Sequence, residues 1–192
     1  MIRTAESVTQ SHPDKVCDQI SDAILDACLK DDPTSRVAVE TMGGHGIISI
    51  TGELTTKTYV NMRAIAQQVY KDCGYNENIG VNVNVVEQSP EIAAGVNQDG
   101  AGDQGIMVGY ATAETPEMLP LEVMLSRHLA RAMGPRDGKS QVTVQDGKVL
   151  SFITSVCAPD PASEASLEKA VNDHIVPILA PGVDLKKAWL RN

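Results

Sequence analysis

Apolar residues recur at helical spacing in four stretches of the chain. From Pro13 onward, Val16, Ile20, Ile24 and Ala27 fall on one face until Asp31-Asp32-Pro33 ends the run. The pattern predicts a helix with Pro13 at its first position and His12 as N-cap. Tyr59 to Cys73 predicts a second, with Gly74 just past its end. Pro120 to Met133 predicts a third, stopped by Gly134-Pro135, and Ser163 to about Leu179 a fourth, closed before Pro181-Gly182. Between them the period drops to two. Arg36 to Met42 and Ile47 to Leu54 flank Gly43-Gly44-His45-Gly46, while Gln141 to Val144 and Val149 to Val156 flank Asp146-Gly147. Both read as hairpins. Two further apolar runs, Val81 to Val86 and Gly105 to Ala111, read as strands between the halves.

Residues 13–73 and 120–179 therefore each run helix, hairpin, helix. This order predicts an α+β fold of two similar two-layer units, each a mostly antiparallel sheet with helices on one face. The expected division is 1–98 and 99–192. The join, Gln88 to Gly105, is rich in Gly, Asn, Asp and Ser and carries Pro90, so it reads as a loop long enough to act as a lid. The uncovered sheet faces are expected to be apolar and to meet another chain, with Ile47, Ile48 and Ile50 as candidates.

Composition narrows the function. Hydrophobic residues make up 42% and aromatics 3%, which requires an aliphatic core. Against 25 acidic residues stand 16 Lys and Arg, a net charge of −9 with no basic stripe. Such a surface repels nucleic acid and anionic membrane. An anionic ligand such as ATP would need metal cations and a few well-placed basic side chains. Cys17, Cys28, Cys73 and Cys157 show no Cys-x-x-Cys spacing and read as reduced core residues. The N-terminus carries no apolar signal region, and no stretch approaches the ~20 apolar residues of a membrane span. Cytoplasm is the expected location.

His12-Pro13-Asp14-Lys15 places an imidazole, a carboxylate and an ammonium at a helix N-terminus. Helix amides favour a phosphate there, and Asp14 can hold Mg²⁺ bridging phosphates; ordinary capping explains the same residues. Gly100-Ala101-Gly102-Asp103-Gln104-Gly105 is a glycine-rich turn entering a strand, neither a Walker A loop nor a dinucleotide fingerprint. Glu40 and Glu53 either face one another across a strand pair or face solvent. His45, His128 and His174 lack partner spacing and read as surface or cap residues. Asp18, Asp22 and Asp26 read as a solvated helix face.

Taken together and in order, several segments resemble the S-adenosylmethionine synthetase (methionine adenosyltransferase) family. They are Glu6-Ser7-Val8, His12 to Leu29, Val39-Glu40-Thr41, Gly52-Glu53-Leu54-Thr55-Thr56, Gln88-Ser89-Pro90-Glu91-Ile92, Gly100 to Gly105, Gly109-Tyr110-Ala111-Thr112, and Asp137-Gly138-Lys139-Ser140-Gln141-Val142-Thr143. The resemblance implies that His12 contacts the triphosphate of ATP, Asp14 binds Mg²⁺ and Glu40 is a K⁺ ligand. It also implies that Glu53 and Gln88 hold L-methionine, that Asp103 meets the substrate amino group, and that Asp137 and Lys139 contact the nucleotide beside Lys15. His12 and Lys139 would be the catalytic pair. The chain departs from the family pattern at Val108, at Val156-Cys157-Ala158, and in a shortened segment between Met133 and Asp137.

The family continues beyond the region matched here, into segments that supply most of the phosphate-clamping Arg and Lys. Two readings follow. One is a subunit of a split synthetase, a hetero-oligomer whose second polypeptide carries the C-terminal half. The other is a catalytically inactive scaffolding or regulatory subunit of a synthetase complex.

Overall fold

The computed structural model of the chain describes residues 1–97, 100–101, 103–157, 160–184 and 189–191, the last three for their backbone alone. The 98/99 junction expected between domains, Gly102 and Ala158 lie outside the described residues. In chain order the elements are β1 (Ile2–Val8), α1 (Pro13–Asp31), β2 (Arg36–Gly44), β3 (Ile47–Thr55), α2 (Met62–Asp72), β4 (Gly80–Val86), α3 (Pro90–Val96), α4 (Leu121–Ala132), β5 (Gly138–Gln145), β6 (Lys148–Val156), α5 (Pro161–His174) and β7 (Trp189–Arg191). They group into two compact units, one of Val16–Gly109 and the other of Met1–Lys15 with Tyr110–Asn192.

The Val16–Gly109 unit has a three-stranded sheet in the order β2-β3-β4, the hairpin antiparallel and β4 parallel to β3. One face is covered by helices. Val16, Ile20, Ile24 and Cys28 of α1 and Met62 and Ala66 of α2 pack on Val39, Ile48, Ile50 and Val81. Ile48 and Ile50 thus belong to the core rather than to an outward surface; only Ile47 is exposed. The other face is mixed, with Glu40, Met42, Thr51, Asn82 and Asn84 exposed. Asp32, just after α1, accepts from the Thr34 hydroxyl (2.6 Å) and the Lys57 amide (2.9 Å). These bonds, Thr34's the larger, hold its pKa down at about 2.

The second unit repeats the order. Helix α4, hairpin β5-β6, helix α5 and a parallel strand β7 match α1, β2-β3, α2 and β4. The duplication seen in the sequence therefore extends one strand further than helix, hairpin, helix. Its core joins Leu125, Leu129 and Met133 from the α4 segment, Val142, Val144, Val149 and Phe152 from the sheet, and Leu167, Val171 and Ile175 from the α5 segment. Strand β1 adds to this sheet antiparallel to β5, giving the order β1-β5-β6-β7.

Both hairpins close through two-residue turns. His45 and Gly46 have φ of 50° and 82°, and Asp146 and Gly147 have 49° and 75°. Positive φ at both positions matches the twist of the flanking strands. Gly43 and Gly44, expected in the turn, instead pair with Ile48 and Ile47. Helix α2 starts later than its apolar period suggests because the Asn61 side chain caps it, accepting from Ala64. Helix α5 starts earlier, through a capping box between Asp160 and Ser163.

Further corrections concern the joins and one cysteine. Gly105 to Ala111 forms no strand: Ile106, Met107 and Val108 are 94%, 98% and 88% exposed. Within the expected lid, Ser89 caps a short helix, α3. Cys157 is exposed rather than in a core, although all four cysteines are free. His128 and His174, expected as surface or cap residues, are half-buried and exposed respectively, and stack edge to face with ring centroids 4.6 Å apart.

Gly52 has φ of 135°, and a Cβ there would stand 2.0 Å from the Ala38 carbonyl oxygen. Gly52→Ala should therefore destabilise the chain by at least ~2 kcal/mol, measured by urea denaturation. Burial, then the neighbouring His174, depresses the pKa of His128, while Glu117 opposes them. The unfolded chain then takes up this proton first as pH falls. Its contribution to stability is complete above about pH 6.5 and is lost below it. His128→Gln should flatten that acid-side decline in the urea midpoint.

Candidate active site

Strand β1 runs beside β5 until Val8 stands opposite Lys139. Past the strand, the Thr9 amide donates to the Gly138 carbonyl (2.9 Å) and the buried Ser11 hydroxyl donates to the Pro135 carbonyl (2.7 Å). The loop leading to His12 is thereby fastened to the loop leading into β5. His12, Asp14 and Lys15 come to the same corner of one unit as Asp137 and Lys139. Gly138 is required by close approach: a Cβ there would lie 2.8 Å from the Ser155 carbonyl oxygen and 2.9 Å from Met133 Sδ. The Asp137 carbonyl accepts from the Cys157 amide (2.8 Å). Arg136 holds Asp160 at 2.6 Å, and the Ser163 amide followed by Arg136 keeps the Asp160 pKa at about 2.

His12 is half-buried, and its Nδ1 accepts from the Asp14 amide at 3.2 Å. The Asp14 carboxylate is farther from Nδ1, at 3.7 Å. An accepting Nδ1 places the neutral ring's proton on Nε2, leaving an N–H to donate outward. Capping and donation are thus compatible. The side chain of Asp14 is 87% exposed in the first turn of α1. Lys139 is bound to Glu6 at 2.5 Å across the strand pair, so this ammonium is already half-neutralised. Lys15 is half-buried. Residue types at helix-start spacing identified His12 and Asp14. Nothing in the chain order indicated that Ser11 anchors them or that Glu6 holds Lys139.

The remaining candidates lie in the other unit. Glu40 is opposite Thr51 and Glu53 opposite Ala38. The two carboxylates therefore share the outer sheet face but stand a diagonal step apart rather than opposite one another. Gln88 follows β4, whose Val86 pairs with Glu53, and its buried Oε1 has no hydrogen-bond partner among the described residues. Asp103 is exposed and accepts from the adjacent Gln104 amide (2.7 Å), a local turn contact. Arg36 at the start of β2 donates to Asn97 at the end of α3 (2.8 Å).

Among the described residues no three His, Cys, Asp or Glu side chains gather as a metal cluster. A lone exposed carboxylate such as Asp14 suits Mg²⁺, which keeps several waters and commonly takes its other ligands from substrate phosphates. Glu40, exposed on the outer sheet face, by itself offers a single carboxylate to any cation. Among the described residues, no helix is long and apolar enough to cross a membrane.

Two units of the same α-β-β-α-β order, one edged by an extra strand that delivers an imidazole and a carboxylate, define an α+β protein of duplicated domains. Residues 1–95 match the N-terminal domain of S-adenosylmethionine synthetase and residues 98–188 its central domain. The chain belongs to the S-adenosylmethionine synthetase family. It is 42% identical over 208 residues to the S-adenosylmethionine synthase of Sulfurovum sp. (strain NBC37-1), covering 93% of this chain and 54% of that protein. It is 41% identical over 202 residues to that of Parafrankia sp. (strain EAN1pec), covering 86% and 51%, and 45% identical over 187 residues to that of Trichormus variabilis (strain ATCC 29413 / PCC 7937), covering 79% and 44%. The chain thus spans about half the length of these relatives.

Ser11→Ala would leave the Pro135 carbonyl without its buried donor. Its expected cost is about 0.5–1.5 kcal/mol in urea denaturation, the ordinary net contribution of one part-buried hydrogen bond.

Proposed function

We propose that the chain is the N-terminal and central part of a methionine adenosyltransferase that forms S-adenosylmethionine from ATP and L-methionine with release of phosphate and diphosphate. In this reading it acts in a cytoplasmic hetero-oligomer with a second polypeptide that supplies the C-terminal half. Residues 1–98 and 99–192 are its two family domains. The single observation that carries the reading is the fastened corner, where Thr9 and Ser11 bind the 135–138 segment and gather His12, Asp14, Asp137 and Lys139.

The chemistry suits this inventory. The methionine sulfur is neutral and nucleophilic as it stands, so no general base is required. The sulfur forms a bond to C5′ of ATP, the C5′–O5′ bond breaks, and its electron pair leaves on the triphosphate, one P–O–P link of which a water then cleaves to give phosphate and diphosphate. Negative charge grows on that oxygen, and the outward N–H of His12 with the Lys139 ammonium are suited to meet it. Asp14 would hold Mg²⁺ against the phosphates and Glu40 would hold K⁺; these ions screen a tetra-anion that an acidic protein otherwise repels. Asp137 and Lys15 would complete the nucleotide contacts. Glu53, Gln88 and Asp103 would hold methionine, the Gln88 Oε1 being a buried acceptor with no donor among the described residues.

Lys139 leaves Glu6 when the nucleotide binds, and two lysines do not balance a triphosphate. The need for a partner rests on this deficit. The purified chain should form S-adenosylmethionine at a negligible rate, and mixing it with a polypeptide carrying the C-terminal half should restore synthesis, followed by chromatographic assay of product. Full turnover by the chain alone would refute the divided site. In the mixture, His12→Ala and Lys139→Ala should each lower the rate by about 100-fold or more. A scaffolding subunit would tolerate both.

A further inference from the structure

One recess in this chain has an electrostatic character opposite to that of the whole. It has a volume of about 510 Å³ and lies in the unit that contains the fastened corner, bounded by Ser7 to Gln10, the last turns of α4 and the Gly134-Pro135 turn. Among the described residues its charged lining consists of Arg127 and Arg131, with no acidic residue, in a protein of net charge −9. A second recess in the same unit shows the contrast: Arg3 lines it with Glu114 and Asp146, and Arg3 binds Glu114 at 2.6 Å. Arg36 and Arg136 likewise hold side-chain partners at 2.8 Å and 2.6 Å. Neither Arg127 nor Arg131 makes a hydrogen bond or ion pair among the described residues.

The two residues are four apart on α4, so their side chains rise from the same face. Like charges at that spacing repel one another unless an anion bridges them. A guanidinium offers a planar fork that matches two oxygens of a phosphoryl group, and two such forks suit a group carrying at least two negative charges. Val8, Ala130 and Pro135 add an apolar wall. The volume falls within the usual range for small-molecule sites and exceeds what a lone phosphate occupies.

We infer that this recess is a binding site for a phosphorylated small molecule, held by Arg127 and Arg131 and separate from the catalytic contacts proposed above. Ser7 to Gln10 form its other wall and lead directly into Ser11 and His12, so an occupant braces the corner on which those residues stand.

The experiment titrates the full chain, without divalent cation, with inorganic diphosphate and separately with adenosine monophosphate, following the Nε–H signals of arginine by ¹⁵N NMR. Saturable shifts of Arg127 and Arg131 are expected, with a Kd below ~1 mM for the tighter probe. Arg127→Gln or Arg131→Gln should weaken binding about tenfold, whereas Arg63→Gln should not. His12→Ala with Lys139→Ala should leave these shifts in place, which separates this site from the proposed catalytic one. Loss of the methyltransfer-donor synthesis reading would not affect the result. The inference is overturned if neither arginine signal saturates, if Arg63→Gln weakens binding as much, or if the shifts vanish in the His12→Ala, Lys139→Ala variant.

Discussion

The pairing of β1 with β5 is the constraint on which the rest of the corner depends. Seven residues from the very start of the chain run antiparallel to a strand of the second repeat, from Ile2 opposite Gln145 to Val8 opposite Lys139. Register then determines everything that follows the strand. A slip of one residue would send Glu6 away from Lys139 and move Thr9 off the Gly138 carbonyl. With the observed register, Glu6 meets Lys139, Thr9 and Ser11 find carbonyl partners, and the first turn of α1 begins where Asp137 and Lys139 already stand.

This arrangement gives a polar role to the inner side of β1. Arg3 binds Glu114 and reaches the largely buried Glu122 of α4 at 3.2 Å. A buried carboxylate left without that guanidinium would be strongly unfavourable, so the ion pair specifies how β1 lies against α4. On the outer side Thr4 and Thr143 share a hydrogen bond at 3.0 Å beside the Glu6–Lys139 pair. The strand is held by its ladder and by charge rather than by apolar burial.

Electrostatics also connects the proposed chemistry to the composition. In a protein of net charge −9, the basic groups near the corner are few and differently employed. Lys139 is neutralised by Glu6, Arg136 by Asp160, while Arg127 and Arg131 face an acid-free recess. The His12 ring is suited to an anion for another reason: its capping bond to the Asp14 amide occupies Nδ1 and leaves Nε2 to face outward as the donor. One hydrogen bond thus starts the helix and orients a donor.

The repeated helix-hairpin-helix order was legible from apolar period alone, because Val16, Ile20 and Ile24, or Leu125 and Leu129, must turn toward a core whatever else the chain does. The two hairpin turns were also legible, since His45-Gly46 and Asp146-Gly147 supply the positive φ that such turns need. Motif residues named His12, Asp14, Asp137 and Lys139 as candidates. Strand β1 was hidden because its inward Arg3 and outward Thr4 and Glu6 show no apolar alternation. The exposed run at Ile106 to Val108 misled for the opposite reason: it has strand-like residues and no ladder partner among the described elements. Long-range pairing decided both. Local sequence encodes periodicity and turn chemistry, whereas the meeting of Glu6 with Lys139, of Ser11 with Pro135 and of His128 with His174 depends on hydrogen bonds and packing between segments more than a hundred residues apart, or on separate helices, which no local pattern contains.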